Sequence, residues 1–146
     1  MTPKKGFTLV ELLVVIAIIG LLSTLSVIAL GSARQKARDA LRLSHIKQIQ
    51  TALEFYFSDY NNYPVGQELV LGLAGGACLD ETGFTSAETC ANPYMGSVPP
   101  NPAPGGADYI YSQTADGAGY QLIFNLEDDS GGLSAGQRQA TQEGIN

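Results

Sequence analysis

Residues 5–30 read KGFTLVELLVVIAIIGLLSTLSVIAL and determine the class of this 146-residue chain. From Phe7 to Leu30 the one charged side chain is that of Glu11. In an α-helix, which rises about 1.5 Å per residue, this segment is roughly 36 Å long, enough to cross a hydrocarbon core about 30 Å thick. The segment is apolar on every face, which is typical of a helix in lipid or in a buried core. We therefore predict a transmembrane helix over residues 7–30.

The remainder of the chain is polar and acidic, so the overall averages combine two unlike halves. Residues 1–47 contain seven of the eight Lys and Arg residues, whereas residues 48–146 contain one base, Arg138, and twelve of the fourteen acidic residues. The net charge of −6 excludes a general nucleic-acid-binding protein, and no specific nucleic acid is expected as a partner. One His and two Cys are too few for the usual zinc or iron–sulfur centres. No nucleophile–base pair or phosphate-binding loop is recognisable, and we predict that the protein is not an enzyme.

Three interpretations compete for the apolar segment. A secretory signal peptide would use Lys4 and Lys5 as its basic start and residues 29–31 as its cleavage site, but the apolar region of such a peptide is usually only about 7–15 residues long. A plain membrane anchor explains the length of the segment but gives no role to Glu11, whose carboxylate is costly inside lipid. The third interpretation assigns a function to Glu11.

The string from Lys5 to Gly20 closely resembles the N-terminal signature of type IV pilins and type II secretion pseudopilins. The likeness covers residues 4–20, and its most specific part is Gly-Phe-Thr-Leu-Val-Glu before an apolar helix. It implies that a prepilin peptidase cuts after Gly6, so that residues 1–6 are a leader peptide. It also implies that the new N-terminal residue, Phe7, is N-methylated and that Glu11 takes part in filament assembly.

The expected role of Glu11 is charge pairing in an apolar medium. Cleavage after Gly6 leaves an ammonium group on Phe7, and Glu11 lies four residues further on, on the same helical face. Each charge is costly alone in such surroundings and less so when paired. The amine can meet Glu11 of its own chain or of a neighbour, and in the second case the pair fixes the axial register of the filament.

Beyond Leu30 the helical pattern continues but becomes one-sided. Apolar residues recur at steps of three and four: Ile46, Ile49, Leu53, Tyr56 and Tyr60. The sequence Asn-Asn-Tyr-Pro at 61–64 is expected to end the helix. The chain is thus expected to consist of the leader 1–6, one long helix over residues 7–62 and a small head over residues 63–146. The predicted fold class is α+β, a pilin-like lollipop in which the second half of the helix packs on a small antiparallel sheet with long loops.

The head is expected to contain a disulfide and a β-hairpin. Cys78 and Cys90 suit a disulfide in a small exported domain. The hairpin strands are predicted at residues 108–112 and 120–126, joined through the turn signal at 116–117. A third strand is expected near residues 95–98, because two strands alone are marginal. Residues 133–146 are polar and dotted with Gly, and we expect them to form a surface tail.

Two charged clusters each have more than one interpretation. The bases from Arg34 to Lys47 suit a solvated helix face beside lipid headgroups, or a surface that meets acidic heads of neighbouring subunits. The acids that follow the last predicted strand suit a solvated strand end. They also include Asp128 and Asp129, which are weak calcium candidates because the resemblance is to proteins that hold calcium in the head. No other cofactor is expected, and His45 is expected on the helix surface.

The sequence as a whole predicts a structural subunit of a type IV pilus or pseudopilus filament. The resemblance implies several partners: copies of the chain in a helical homopolymer, prepilin peptidase, an inner-membrane platform protein, an assembly ATPase and minor pilins. It implies a single-pass precursor in the bacterial inner membrane with an extracytoplasmic head, and later a periplasmic or cell-surface filament. Two bases before the span and five after it favour the opposite orientation. The alternative is an unprocessed single-span membrane protein with a small extracytoplasmic ligand-binding head.

Overall fold

A computed structural model describes residues 6–146, so all but the last residue of the predicted leader lies outside the described part of the chain. One long helix, α1 (Leu9–Tyr60), accounts for 52 residues. No proline occurs between residues 3 and 64, so every residue of α1 can donate its backbone hydrogen bond. The helix ends where Asn61 adopts a positive φ of 54°, a conformation that Asn tolerates better than most residues.

The chain forms two compact units, the first ending at Gln35 and the second comprising Lys36–Asn146. The described part of the first unit is helical from Leu9 onward, and its residues are all exposed. The second unit contains the rest of α1 and the head. This antiparallel sheet with one long helix is the predicted α+β, pilin-like class, which is therefore confirmed.

The head contains seven short strands in two sheets. Their bounds are β1 (Leu69–Val70), β2 (Cys78–Asp80), β3 (Gly83–Thr85), β4 (Ile110–Gln113), β5 (Tyr120–Leu126), β6 (Gly136–Thr141) and β7 (Gly144–Ile145). Five of them form one antiparallel sheet in the order β1-β4-β5-β6-β7, and β2 pairs with β3 in a separate hairpin. A 3-10 turn at Ala74–Gly76 precedes β2.

The core lies between the sheet and one side of α1. The helix contributes the predicted apolar stripe, of which Ile46, Ile49 and Leu53 are fully buried while Tyr60 remains 44% exposed. Strand β5 alternates strictly between buried and half-buried residues, with Tyr120, Leu122, Phe124 and Leu126 facing inward. Burying each such aliphatic or aromatic side chain contributes roughly 1.5–3 kcal/mol, so this helix–sheet contact is the main source of stability of the second unit.

The predicted hairpin is confirmed: Tyr111 pairs with Leu122 and Gln113 with Tyr120 across β4 and β5. Two expectations about the remaining strands are wrong. Residues 95–98 provide one isolated bridge, from Met95 to Leu79, rather than a strand of the main sheet. Residues 133–146 are not a surface tail, because they supply β6 and β7, and β6 pairs with the whole second half of β5.

Candidate functional site

The predicted cleavage position lies just before the helix. Gly6 is exposed, and a side chain added to its Cα would meet no other atom within 4 Å. The following residue, Phe7, is 86% exposed. The peptide bond between them is therefore open to approach on the described side of the chain, which cleavage by a peptidase requires.

Thr8 and Glu11 close the first turn of α1 with reciprocal hydrogen bonds. The Thr8 backbone N–H donates to the Glu11 Oε2 atom at 2.7 Å, and the Thr8 hydroxyl donates to the same oxygen at 2.8 Å. The Glu11 N–H in turn donates to the Thr8 Oγ1 atom at 3.2 Å. This is a capping box, in which the first N–H groups of a helix find partners that the helix itself lacks. Glu11 thus stabilises the start of α1 in addition to the assembly role predicted for it.

Thr8 is a functional residue that the sequence-based prediction missed. The signal is present in the sequence, because Thr followed three residues later by Glu, just before an apolar run, is the signature of a capping box. The prediction considered Glu11 only as a partner for the future amine of Phe7. In the structure its carboxylate already lies at the helix start, within one turn of the position where that amine would form.

The helix after this motif is bare, which means that no other described part of the chain covers it. Every residue from 6 to 37 is exposed, including Leu9 at 76%, Val27 at 71% and Ile28 at 72%. Within α1 lies a stretch long and apolar enough to cross a membrane, and none of it is buried by the described residues. So large an apolar surface is not stable in water, and it needs either lipid or other protein to cover it.

A buried ionic cluster lies where α1 meets the loops of the head. Asp39 and Arg42 have no exposed surface, and the Arg42 Nη1 atom donates to the Asp39 Oδ1 atom at 2.6 Å. The Arg42 guanidinium also donates to the Asn101 side chain at 2.7 Å and to the carbonyl oxygens of Pro102 and Gly105. The Asp39 carboxylate accepts the backbone N–H groups of Glu127 and Asp128 at 3.0 and 2.8 Å.

Glu127 completes this cluster by binding two arginines. Its Oε1 atom lies 2.7 Å from Arg42 Nη2 and accepts from Arg38 Nε at 2.8 Å, and its Oε2 atom pairs with Arg38 Nη2. The hydrogen bond from Arg38 and the neighbouring Arg42 lower the pKa of Glu127 to about 2, against the opposing effect of burial. The expectation that the Arg34–Lys47 bases form one solvated or intersubunit face is therefore wrong for Arg38 and Arg42, which bind within the chain. Glu127 is likewise not a solvated strand end.

The two weak calcium candidates follow Glu127. The Asp128 Oδ1 atom accepts the N–H of Asp129 at 2.8 Å, and the Asp129 Oδ1 atom accepts the N–H of Ala135 at 2.8 Å. These contacts are within the loop and do not gather several oxygens around one point, as calcium requires. The guanidinium groups beside Glu127 also oppose a nearby cation. Calcium binding stays a prediction that this arrangement does not favour.

Cys78 and Cys90 form the predicted disulfide, which is confirmed. Beside it lies Asp80, whose buried carboxylate accepts N–H groups from Thr82 at 2.8 Å and from Ala91 at 3.0 Å. The two sulfur atoms and this carboxylate lie within 4.8 Å of one another, but sulfur atoms bonded to each other are not thiolate ligands. The disulfide and Asp80, together with the pairing of β3 and β2, hold residues 81–92 against β2.

His45 is half-buried rather than on the open helix surface as predicted. Its Nδ1 atom lies 3.2 Å from the hydroxyl of Tyr109, and burial lowers the pKa of the imidazole. With a hydroxyl as its neighbour and no carboxylate bonded to it among the described residues, it serves packing and local hydrogen bonding.

Comparison with known proteins identifies the family. Residues 1–27 match the prokaryotic N-terminal methylation motif. The chain is 30% identical over 120 residues to the type II secretion system core protein G of Escherichia coli, covering 82% of this chain and 79% of that protein. The chain belongs to the type IV pilin and type II secretion pseudopilin family.

Other relatives come from both branches of the family. The type IV wide pilus major component of Thermus thermophilus is 33% identical over 94 residues, which cover 64% of this chain and 72% of that protein. The core protein G of Pectobacterium carotovorum is 41% identical over 61 residues, 42% of this chain and 39% of that protein. No solved structure matches the chain significantly.

Membership of this family makes the protein a structural subunit of a pilus or pseudopilus system and not an enzyme. Its relatives are components of pilus and type II secretion systems, which implies assembly into a filament with dedicated machinery. The bare apolar helix fits both a precursor in the inner membrane and a subunit of such a filament.

Proposed function

We propose that the chain is cut after Gly6, N-methylated on Phe7 and assembled through its bare helix into a pilus or pseudopilus filament. The observation that carries this proposal is that the methylation motif leads directly into a helix with every residue to position 37 exposed. The same apolar surface serves twice, first in contact with lipid and later in contact with the helices of other copies. Transfer between two apolar surroundings costs little hydrophobic free energy, so a subunit can leave the membrane for the filament core.

In this proposal, Glu11 fixes the axial position of each subunit relative to its neighbour. In the described structure its carboxylate is held by Thr8, next to the place where cleavage would create the Phe7 ammonium. A subunit entering the apolar core of a filament would bring that ammonium with it, and an unpaired charge there is costly. Pairing with the Glu11 carboxylate of a neighbour removes the cost at one axial offset only. Methylation keeps the amine positive and leaves this pairing intact.

The proposed partners follow from the family. They are prepilin peptidase, an inner-membrane platform protein, an assembly ATPase, minor pilins and further copies of the chain. The head is proposed to lie outside the cytoplasm, which is supported by the disulfide between Cys78 and Cys90, since such bonds persist in oxidising compartments.

Mass spectrometry of the chain purified from its native host tests the processing step. We expect the N-terminal peptide to begin at Phe7 and to be heavier by one methyl group. The matched control is the variant Gly6→Ile, whose branched side chain would block access to the cleavage position and should leave residues 1–6 attached. A wild-type chain that retains Met1 would contradict the proposal and favour the unprocessed single-span protein with a ligand-binding head.

A further inference from the structure

An uncovered surface runs along α1 within the second unit. One side of the helix packs on the sheet, and the opposite side, which we call the stem surface, includes the exposed residues Lys36, Ala40, Lys47, Thr51 and Phe55. Phe55 is 59% exposed and Leu41 beside this surface is 45% exposed. Next to it lies an open groove of about 1070 Å³ between α1 on one side and the loop at 130–133 and residues 142–145 on the other, with Ala40, Lys47 and Thr51 on its helical wall.

The stem surface carries positive charge without a partner. Lys36 and Lys47 are exposed and form no ion pair with any residue that the structure describes, whereas Arg38 and Arg42 are fully engaged in the buried cluster. The two lysines are eleven residues apart, close to three helical turns, and so lie on the same side of α1. The acids in the groove are not their partners: the Glu54 carboxylate accepts from the Tyr63 hydroxyl at 2.8 Å, and Glu143 forms no ion pair among the described residues.

The groove wall also holds an unsatisfied donor. Tyr120 is 1% exposed, and its hydroxyl has no hydrogen-bond partner among the described residues. The amide of Gln50, on the same wall, donates to the carbonyl oxygen of Thr141 at 2.8 Å. The Tyr120 hydroxyl is enclosed by the chain, so Lys47 is the group that selects an occupant. A lysine ammonium only donates, so that occupant has to bring oxygen acceptors.

The head of the same chain offers a rigid acidic loop. This acidic loop is residues 81–92, the short strand β3 with its flanking turns; it contains the exposed acids Glu81 and Glu88, and no base occurs between residues 48 and 137. The disulfide and the hydrogen bonds of Asp80 fix this loop. A loop that is already ordered loses little conformational entropy on docking, so it suits an interface better than a flexible acidic segment.

We propose that the stem surface binds the acidic loop 81–92 of a second copy of this chain. This inference rests on the proposed function, because it assigns a contact between subunits of the filament. The free cations Lys36 and Lys47 lie well before the end of α1, whereas the acidic loop is followed by Tyr94, whose hydroxyl donates to Asp59 in the last turn of the helix. Copies displaced along the filament axis therefore bring opposite charges together. This contact determines which copies touch one another through their heads. It acts independently of the pairing between Glu11 and the Phe7 ammonium.

Site-specific photo-cross-linking of the full chain in its native host tests this contact. With a benzoylphenylalanine at Ala40, we expect a cross-linked dimer whose second peptide lies within residues 78–94 of another copy. The control position is Ala115, an exposed residue of the β4–β5 turn outside the stem surface, which should not cross-link to that peptide. Cross-links from Ala40 to any other region, to another protein or to none would overturn the proposal.

Charge exchange provides the second measurement. Lys47→Glu should lower the yield of filaments about tenfold, because the like-charge contact recurs at every subunit, and Glu88→Lys in the same chain should restore it. The control for net charge is the double variant Ala115→Glu/Ala118→Glu in the exposed β4–β5 turn, which lowers the charge by two as Lys47→Glu does and should leave the yield unchanged. Normal filament yield with Lys47→Glu would refute this contact alone. A wild-type chain that forms no filament would refute the proposed function and this contact together.

Discussion

At the scale of single residues, the first turn of α1 explains why a carboxylate is tolerated at the edge of an apolar helix. Glu11 accepts two hydrogen bonds from Thr8, so its charge is partly satisfied before any subunit contact forms. The same group is then proposed to exchange this local partner for the ammonium of another copy. The two roles can be separated, because one needs hydrogen-bond acceptance and the other needs negative charge.

Glu11→Gln and Thr8→Ala separate these roles. A Gln at this position can still accept from Thr8 in a capping box, so the helix start is kept while the ion pair is lost. We expect Glu11→Gln to be processed at the normal rate but to form few filaments. Thr8→Ala should keep the charge and lose the cap, at a cost of about 1 kcal/mol, and should still assemble. The measurement is filament yield beside the fraction of processed chain, and normal assembly of Glu11→Gln would contradict the pairing.

Because of Glu127, the free energy of unfolding of the second unit should decrease as the pH falls. Its pKa is about 2 in the folded chain and about 4.3 in an unfolded one. Because the unfolded chain takes up the proton first as the pH falls, the contribution is complete above about pH 5 and is lost between there and about pH 2. Denaturant unfolding of the full chain in detergent, repeated from pH 7 downward, measures this loss. The loss should be smaller in Glu127→Gln, and an identical pH profile for both chains would rule out the assignment.

At the scale of elements, the ionic cluster joins three parts of the chain that no strand pairing connects. Arg42 and Asp39 come from α1, Asn101 and Gly105 from the long loop before β4, and Glu127 from the end of β5. The loop at 101–106 contains two prolines and two glycines and no regular structure, so the Arg42 hydrogen bonds give it a fixed position.

Arg42→Met tests the contribution of the cluster. Removing the guanidinium leaves the Asp39 carboxylate buried without its ion-pair partner, and the loss of one partner of a buried pair typically costs about 3–5 kcal/mol. The matched control is Lys36→Met, which removes an exposed base from the same helix and should change the free energy of unfolding by less than about 0.5 kcal/mol. Equal stability of the two variants, measured by denaturant unfolding in detergent, would show that the cluster does not hold the head to the helix.

The elements predictable from sequence are those with a periodic apolar pattern. The 3–4 spacing of Ile46, Ile49 and Leu53 predicted the buried side of α1, and the alternation in Tyr120–Leu126 predicted β5. Strand β6 was missed because the sequence GQRQAT has a single buried residue, Ala140, and pairs through its backbone with β5. Arg42 was misplaced because its partners come from distant parts of the chain, and a helical pattern alone assigns a base to the solvent.

At the scale of the whole molecule, the two compact units have different properties that suit a filament subunit. The first unit offers apolar surface without internal cover, and the second holds its own core, a disulfide and a buried ionic cluster. The motif at the N-terminus was recognisable from sequence because it is local, covering Gly6, Phe7 and Glu11 within one short string. The buried cluster of Asp39, Arg42 and Glu127 was not, since it arises only when distant segments come together.

Immunogold electron microscopy of filaments from the native host, with an antibody against the head, tests the central claim most directly. If the chain is a filament subunit, gold particles should decorate filaments at regular intervals, and the filaments should be few in cells that carry Glu11→Gln. The fraction of chain in the membrane should rise correspondingly in those cells. Filaments without label, together with a chain that remains entirely in the membrane of wild-type cells, would contradict the account.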